Sequence, residues 1–167
     1  MAAATPANND RRSRATAARL AAVQALYQVE MGAAEVDAVL AEAARDGPQA
    51  DLDETQRLDA DPFVLAEIVR GAVDRRAAIG DVLEAALAPK WRLDRLDLIL
   101  RAILRAGAFE LLARSKVPAR VVINEYVDIT HAFFDKAEAG LVNAVLDRIA
   151  KTLRADEFAG KEPVHDA

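Results

Sequence analysis

The chain has 167 residues, with 22 lysines and arginines against 27 aspartates and glutamates, a formal net charge of −5 and no cysteine. One ordinary domain of this size buries roughly two-thirds of the surface its unfolded form exposes, so it needs neither disulfide nor metal to be stable. The missing thiols exclude cysteine nucleophiles and thiolate metal sites and agree with a reducing, cytoplasmic setting, while net acidity argues against an indiscriminate polyanion binder.

Residues 1–10 are small and polar, lack the charged-then-apolar order of a secretory signal, and are expected to form a disordered tail. No later stretch reaches about 18 uncharged apolar residues, so no membrane span is expected. Strand-like alternation is absent, and apolar residues recur at three- and four-residue spacing, which predicts an all-α fold of about seven helices. The first, about 14 to 31, lines up Leu20, Val23, Leu26 and Tyr27 and stops at Gly32. A second, about 34 to 45, ends at Gly47-Pro48, and the acidic stretch of about 48 to 60 reads as a loop. Asp61-Pro62 supplies an N-cap and a first-turn proline for a third helix, about 62 to 77. A fourth, about 79 to 88, is cut off by Pro89, and a short turn bearing Trp91 leads to a fifth, about 94 to 113, with Leu96, Ile99, Leu100, Ile103, Leu104 and Leu111 aligned.

Pro118 opens a sixth helix, about 118 to 134, with Val122, Tyr126, Ile129 and Phe133 inward. The seventh, about 138 to 153, turns Val142, Val145, Leu146, Ile149 and Leu153 inward. Residues 155–167 are expected to fray, which leaves 11–154 as one helical domain. Short connections favour antiparallel neighbours in bundles. Asn124 and Asn143 sit among aliphatic residues and are expected to be buried amides bonded between helices.

Charge is unevenly spread. Arg11, Arg12, Arg14 and Arg19 form an acid-free basic segment; Glu30 to Asp61 is strongly acidic; Lys90 to Arg120 turns basic again. Arginine makes forked, permanently charged contacts with phosphate, so the first segment is a candidate grip on an RNA backbone, or else a solvated chain end. Tyr27 is a candidate stacking platform for an unpaired base, or else a core residue. His131 and His165 are far apart in sequence and neither has a second ligand at zinc spacing, which leaves no metal site expected. No phosphate loop, Gly-x-Ser-x-Gly elbow or Rossmann fingerprint occurs, so no catalytic residue, cofactor or enzyme activity is expected.

Four motifs in order resemble the NusB family of bacterial transcription antitermination factors. They are Ala21-Ala22-Val23-Gln24-Ala25-Leu26-Tyr27 after the arginine-rich start, Arg101 to Arg105 running to Phe109-Glu110-Leu111-Leu112, Val117-Pro118 leading to Val122-Ile123-Asn124-Glu125, and Val142-Asn143-Ala144-Val145-Leu146-Asp147. The resemblance implies two small bundles packed roughly perpendicular. It also implies binding of boxA RNA of ribosomal operons as a heterodimer with the ribosomal protein NusE, and assembly with other Nus factors on RNA polymerase. Arg19, Gln24 and Tyr27 match the family's first-helix motif and join Arg11, Arg12 and Arg14 as the implied RNA-binding set. Before Arg19 this chain has Thr16, Ala17 and Ala18 where the familiar enteric form has consecutive arginines. Before Val142 it has Glu138-Ala139-Gly140-Leu141 in place of Ser-His-Lys-Phe. For NusE the resemblance points to the fourth and fifth helices and their connection, with Asp97, Arg101 and Arg105 as candidate contacts. Two alternatives are the NusB-like RNA-binding domain of a ribosomal-RNA cytosine methyltransferase and a helical scaffold that binds only protein.

Overall fold

The computed structural model describes residues 5–32, 35–46 and 59–159. They form eight α-helices and no strand, namely α1 (Pro6–Glu30), α2 (Val36–Asp46), α3 (Pro62–Asp74), α4 (Arg76–Ala86), α5 (Leu98–Ala113), α6 (Ala119–Phe133), α7 (Lys136–Leu153) and a short α8 (Ala155–Phe158). A single 3-10 turn, Leu93–Arg95, precedes α5. Gly47-Pro48 and most of the acidic loop expected at 48 to 60 lie outside the described residues.

Local chemistry sets the ends. Gly32 adopts φ 69°, the left-handed conformation that closes a helix cheaply only at glycine, and its N–H donates to Val29 O at 3.0 Å. Asp61 Oδ1 accepts from Phe63 N at 2.9 Å and Val64 N at 3.3 Å, capping α3 as expected. Asp97 Oδ1 does the same for α5 from Ile99 N at 2.8 Å, so α5 starts later than the leucine pattern suggested.

The described parts of both expected tails are helical. Pro6 stands in the first turn of α1, where its fixed φ suits a helix start, so residues 6–10 are helical. They carry no apolar stripe because they pack on nothing and stay exposed. At the other end residues 155–158 are helical, and Phe158 packs against the core.

Ten of the sixteen residues of α5 are buried, and the helix packs against α1, α3, α4, α6 and α7. It is the element shared by the expected two bundles, one with α1, α2 and α3 and the other with α4, α6 and α7. A Cβ on Gly71 would lie 2.2 Å from the Phe109 ring, so glycine sets how closely α3 approaches α5. Four residues expected in the interior are outside it: Phe133 and Leu153 are exposed, and so are Asn124 and Asn143 on the outer faces of α6 and α7. Each asparagine falls between buried positions of its helix without sharing their direction, so neither bonds helices together.

Arg154 closes the bottom of the fold. Its guanidinium donates to the carbonyls of Leu111 (3.0 Å), Glu110 (2.8 Å), Arg114 (2.8 Å) and Val117, and it pairs with Glu157 at 3.2 Å. Carbonyls at the C-terminal end of α5 and in the turn after it thus meet a cation, which also suits the helix dipole. Glu157 in turn accepts from Ala119 N, at the start of α6, at 3.0 Å. Arg154→Met is expected to strand these carbonyls and lower stability by about 2–4 kcal/mol. Urea unfolding checks this; a midpoint within error of the parent would show that the carbonyls find other partners.

Candidate nucleic-acid interface

The first helix divides along its length. Its middle is buried: Ala17, Ala18, Ala21, Ala22, Val23, Ala25 and Leu26 lie in the core, and Arg19 lies among them at 4% exposure. Arg19 donates from Nε to Glu110 Oε2 at 2.8 Å and from Nη2 to Oε1 at 3.0 Å, a forked pair inside the molecule. Arg114 Nη1 reaches the same Oε1 at 2.7 Å, and Arg19 Nη1 stands 3.8 Å from Glu125 Oε2. Thr16 Oγ1 donates to the other Glu125 oxygen at 3.0 Å. The cluster therefore ties α1, α5 and α6. Burial by itself would lower the pKa of Arg19, but the bond to Glu110 and the charge nearby more than offset it and hold it raised. Tyr126 is fully buried next to this cluster, and burial first, then Glu110, push its phenol well above the usual value of 10.0. Its hydroxyl lies within electrostatic reach of Glu110 without the geometry of a hydrogen bond.

The expectation that Arg19 grips phosphate is thereby corrected. Its donors already point at a buried carboxylate, and releasing them would leave Glu110 in the core with Arg114 as its one remaining charged partner among the described residues.

The C-terminal half of α1 forms one wall of a groove of about 200 Å³, lined by Gln24, Tyr27 and Gln28 of α1, Val39 and Glu42 of α2, Ile99 of α5 and Phe133 of α6. Tyr27 is half-buried and packs against the core, Phe133 is 37% exposed, and both line the groove. Phe133 is the residue that the sequence reading placed in the core. α6 ends at Phe133, and Phe134 is its C-cap in extended backbone. Phe134 packs against the core and Phe133 does not.

Arg11 and Arg12 are exposed and Arg14 is half-buried, all on the N-terminal half of α1. None of the three forms an ion pair with another described residue. Because this stretch is helical, the three side chains radiate around the axis instead of forming one claw. At 3.6 residues per turn Arg12 falls about 60° from the direction of Tyr27 and about 22 Å along the helix, with Arg11 and Arg14 on the far side.

The candidate partner contacts have other neighbours. Asp97 caps α5, Arg105 pairs with Glu30 at 2.7 Å, and Arg101 is half-buried. His131 is exposed on α6, whereas His165 lies outside the described residues. Among the described residues no group of three or more His, Cys, Asp or Glu could hold a metal, and no helix is long and apolar enough to cross a membrane.

The model of the NusB family matches residues 16–151, which include every member of the internal charge cluster and every lining residue of the groove. The chain belongs to the NusB family. It is 48% identical to the transcription antitermination protein NusB of Nitrobacter hamburgensis, over 88% of this chain and 92% of that one. Its identity to the NusB of Rhodopseudomonas palustris (strain BisB5) is 49%, over 85% and 82%. Among solved structures it is similar to T. maritima NusB, with a TM-score of 0.68 and 30% identity over 93% of this chain and 99% of that one. It is also similar to a chain in the crystal structure of the antitermination factors NusB and NusE in complex with double-stranded RNA, with a TM-score of 0.67 and 26% identity over 84% and 98%. Glu110 and Glu125, which stand in two of the motifs that carry the resemblance, are the acids that hold Arg19.

Arg19→Ala is expected to cost about 3–5 kcal/mol of stability, because it leaves Glu110 without its forked partner. The double change Arg19→Met with Glu110→Leu should recover much of that loss. A stable Arg19→Ala protein that has lost RNA binding would contradict this internal role.

Proposed function

We propose that this protein is an RNA-binding transcription antitermination factor that binds boxA RNA of ribosomal operons as a heterodimer with the ribosomal protein NusE. In this reading it joins other Nus factors on RNA polymerase, acts in the cytoplasm, and performs no catalysis. The observation that carries the proposal is the groove lined by Tyr27 of α1 and Phe133 of α6, on a helix α1 whose N-terminal half carries arginines that form no ion pair with another described residue. Aromatic rings stack on unpaired bases of any sequence, and arginines track the backbone that connects them. A strand laid along α1 from Arg12 to Tyr27 would use both. Gln24 and Gln28 bring amides to the same wall, and an amide can hydrogen-bond a base edge.

The methyltransferase-domain alternative is less favoured, because the curated relatives are antitermination proteins matched over 82–93% of their own lengths. The protein-only scaffold accounts for the net charge of −5 but gives no role to the groove-lining rings.

Titration with boxA RNA, with and without NusE, tests the reading. Tyr27→Ala and Phe133→Ala are each expected to cost about 1–3 kcal/mol of RNA affinity, with little change in thermal midpoint for Phe133→Ala and a lower midpoint for Tyr27→Ala, whose ring also packs against the core. Arg12→Ala should weaken different RNA sequences alike and flatten the salt dependence by roughly 0.7 slope units, and Arg11→Ala or Arg14→Ala should do less. NusE should tighten RNA binding by a coupling of about 1–3 kcal/mol. Ring variants that bind RNA as the parent does would remove the groove from the reading.

A further inference from the structure

Glu42 is the one charged residue in the lining of the groove among the described residues, and its charge is negative. It stands on α2 three residues after Val39 and just before Ala43; all three line the groove, so this face of α2 is turned toward α1. Val39 is buried and anchors the face, whereas Glu42 is exposed. Glu42 forms no ion pair with another described residue, so its carboxylate is committed to no internal cation. The arginines of α1 that can draw phosphate stand toward the other end of that helix, with Arg12 about 22 Å along it from Tyr27.

An acid at this place sets what the groove admits. A carboxylate only accepts hydrogen bonds, so it repels phosphate and carbonyl oxygens and attracts N–H groups. A strand crossing the groove therefore keeps its phosphates toward solvent and turns its bases toward α2. The bases differ in what they bring. Guanine carries two adjacent donors, N1–H and the 2-amino group, spaced to meet both oxygens of one carboxylate in the forked match that a guanidinium also makes. Cytosine and adenine each present one amino group next to a ring acceptor. Uracil presents one N–H between two carbonyl oxygens, which the carboxylate repels.

We infer that Glu42 is a specificity-determining residue of the groove, accepting both donors of an unpaired guanine that reaches in beside Tyr27. The inference rests on the RNA-binding reading and adds the base chosen at this site. Stacking on Tyr27 is satisfied by every base, because each has a π-face. The choice among bases comes from Glu42, since the amide of Gln28 on the same groove both donates and accepts.

The test titrates the full chain, alone and with NusE, with single strands of uridine that carry one guanosine at each position in turn, and with the all-uridine strand. The parent is expected to bind the best-placed guanosine strand about tenfold more tightly than all-uridine, within the discrimination of a bidentate base contact. Inosine at that position lacks the 2-amino group and should lose most of the gain. Glu42→Gln and Glu42→Ala should abolish the preference, and their thermal melts should match the parent, because Glu42 is exposed and holds no ion pair among the described residues. Simple repulsion of phosphate gives a different pattern: both variants would bind every strand more tightly by one factor and keep the preference, which would overturn the inference. A parent that binds all the strands alike would overturn it too, while the RNA-binding reading would stand. Weaker NusE binding by the variants, with base preference intact, would assign Glu42 to the protein interface and equally refute the base contact. If the parent binds neither these strands nor boxA RNA, the RNA-binding reading fails and this inference falls with it.

Discussion

The forked ion pair between Arg19 and Glu110 is the constraint on which the arrangement depends. Arg19 lies in the buried middle of α1 and Glu110 is fully enclosed on α5, so each is tolerable only with the other present. Two aligned N–H···O contacts also fix a rotation and a height of α1 against α5, which apolar packing alone leaves softer. Arg114 and Glu125 extend the pair to the next turn of α5 and to α6. With α1 held at this height, Tyr27 falls beside Ile99 and Phe133.

Placed in this way, one helix presents three environments in 25 residues. Its first turns project from the body, its middle is core, and its last two turns wall a groove. This explains why it lacks a clear amphipathic stripe: no single direction faces the interior along its whole length.

The central helix divides the molecule into its two bundles. Because α5 is nearly enclosed, each of its few accessible positions belongs to a particular surface. Ile99 opens to the groove, and Arg101 and Arg105 open to the side of α4. Glu30 links the two, since it follows Tyr27 by three residues on α1 and pairs with Arg105 across the helix interface.

The sequence by itself determined the helical class, most helix boundaries, the caps at Asp61 and Gly32 and most of the core, because these follow from short-range spacing and from the conformational limits of individual residues. It also marked Tyr27 and the arginine run, through local composition. It did not determine which charges are internal. Arg19 belongs to the same basic run as Arg11, Arg12 and Arg14, and only the approach of Glu110, 91 residues away, turns it from a surface cation into a core one. Phe133 and the two asparagines show the same limit in reverse: a side chain's neighbours along the helix say what its segment buries, but its own direction is settled only when the other helices arrive. The groove likewise exists only where α1, α2, α5 and α6 meet, since no one of these segments contains a concave surface.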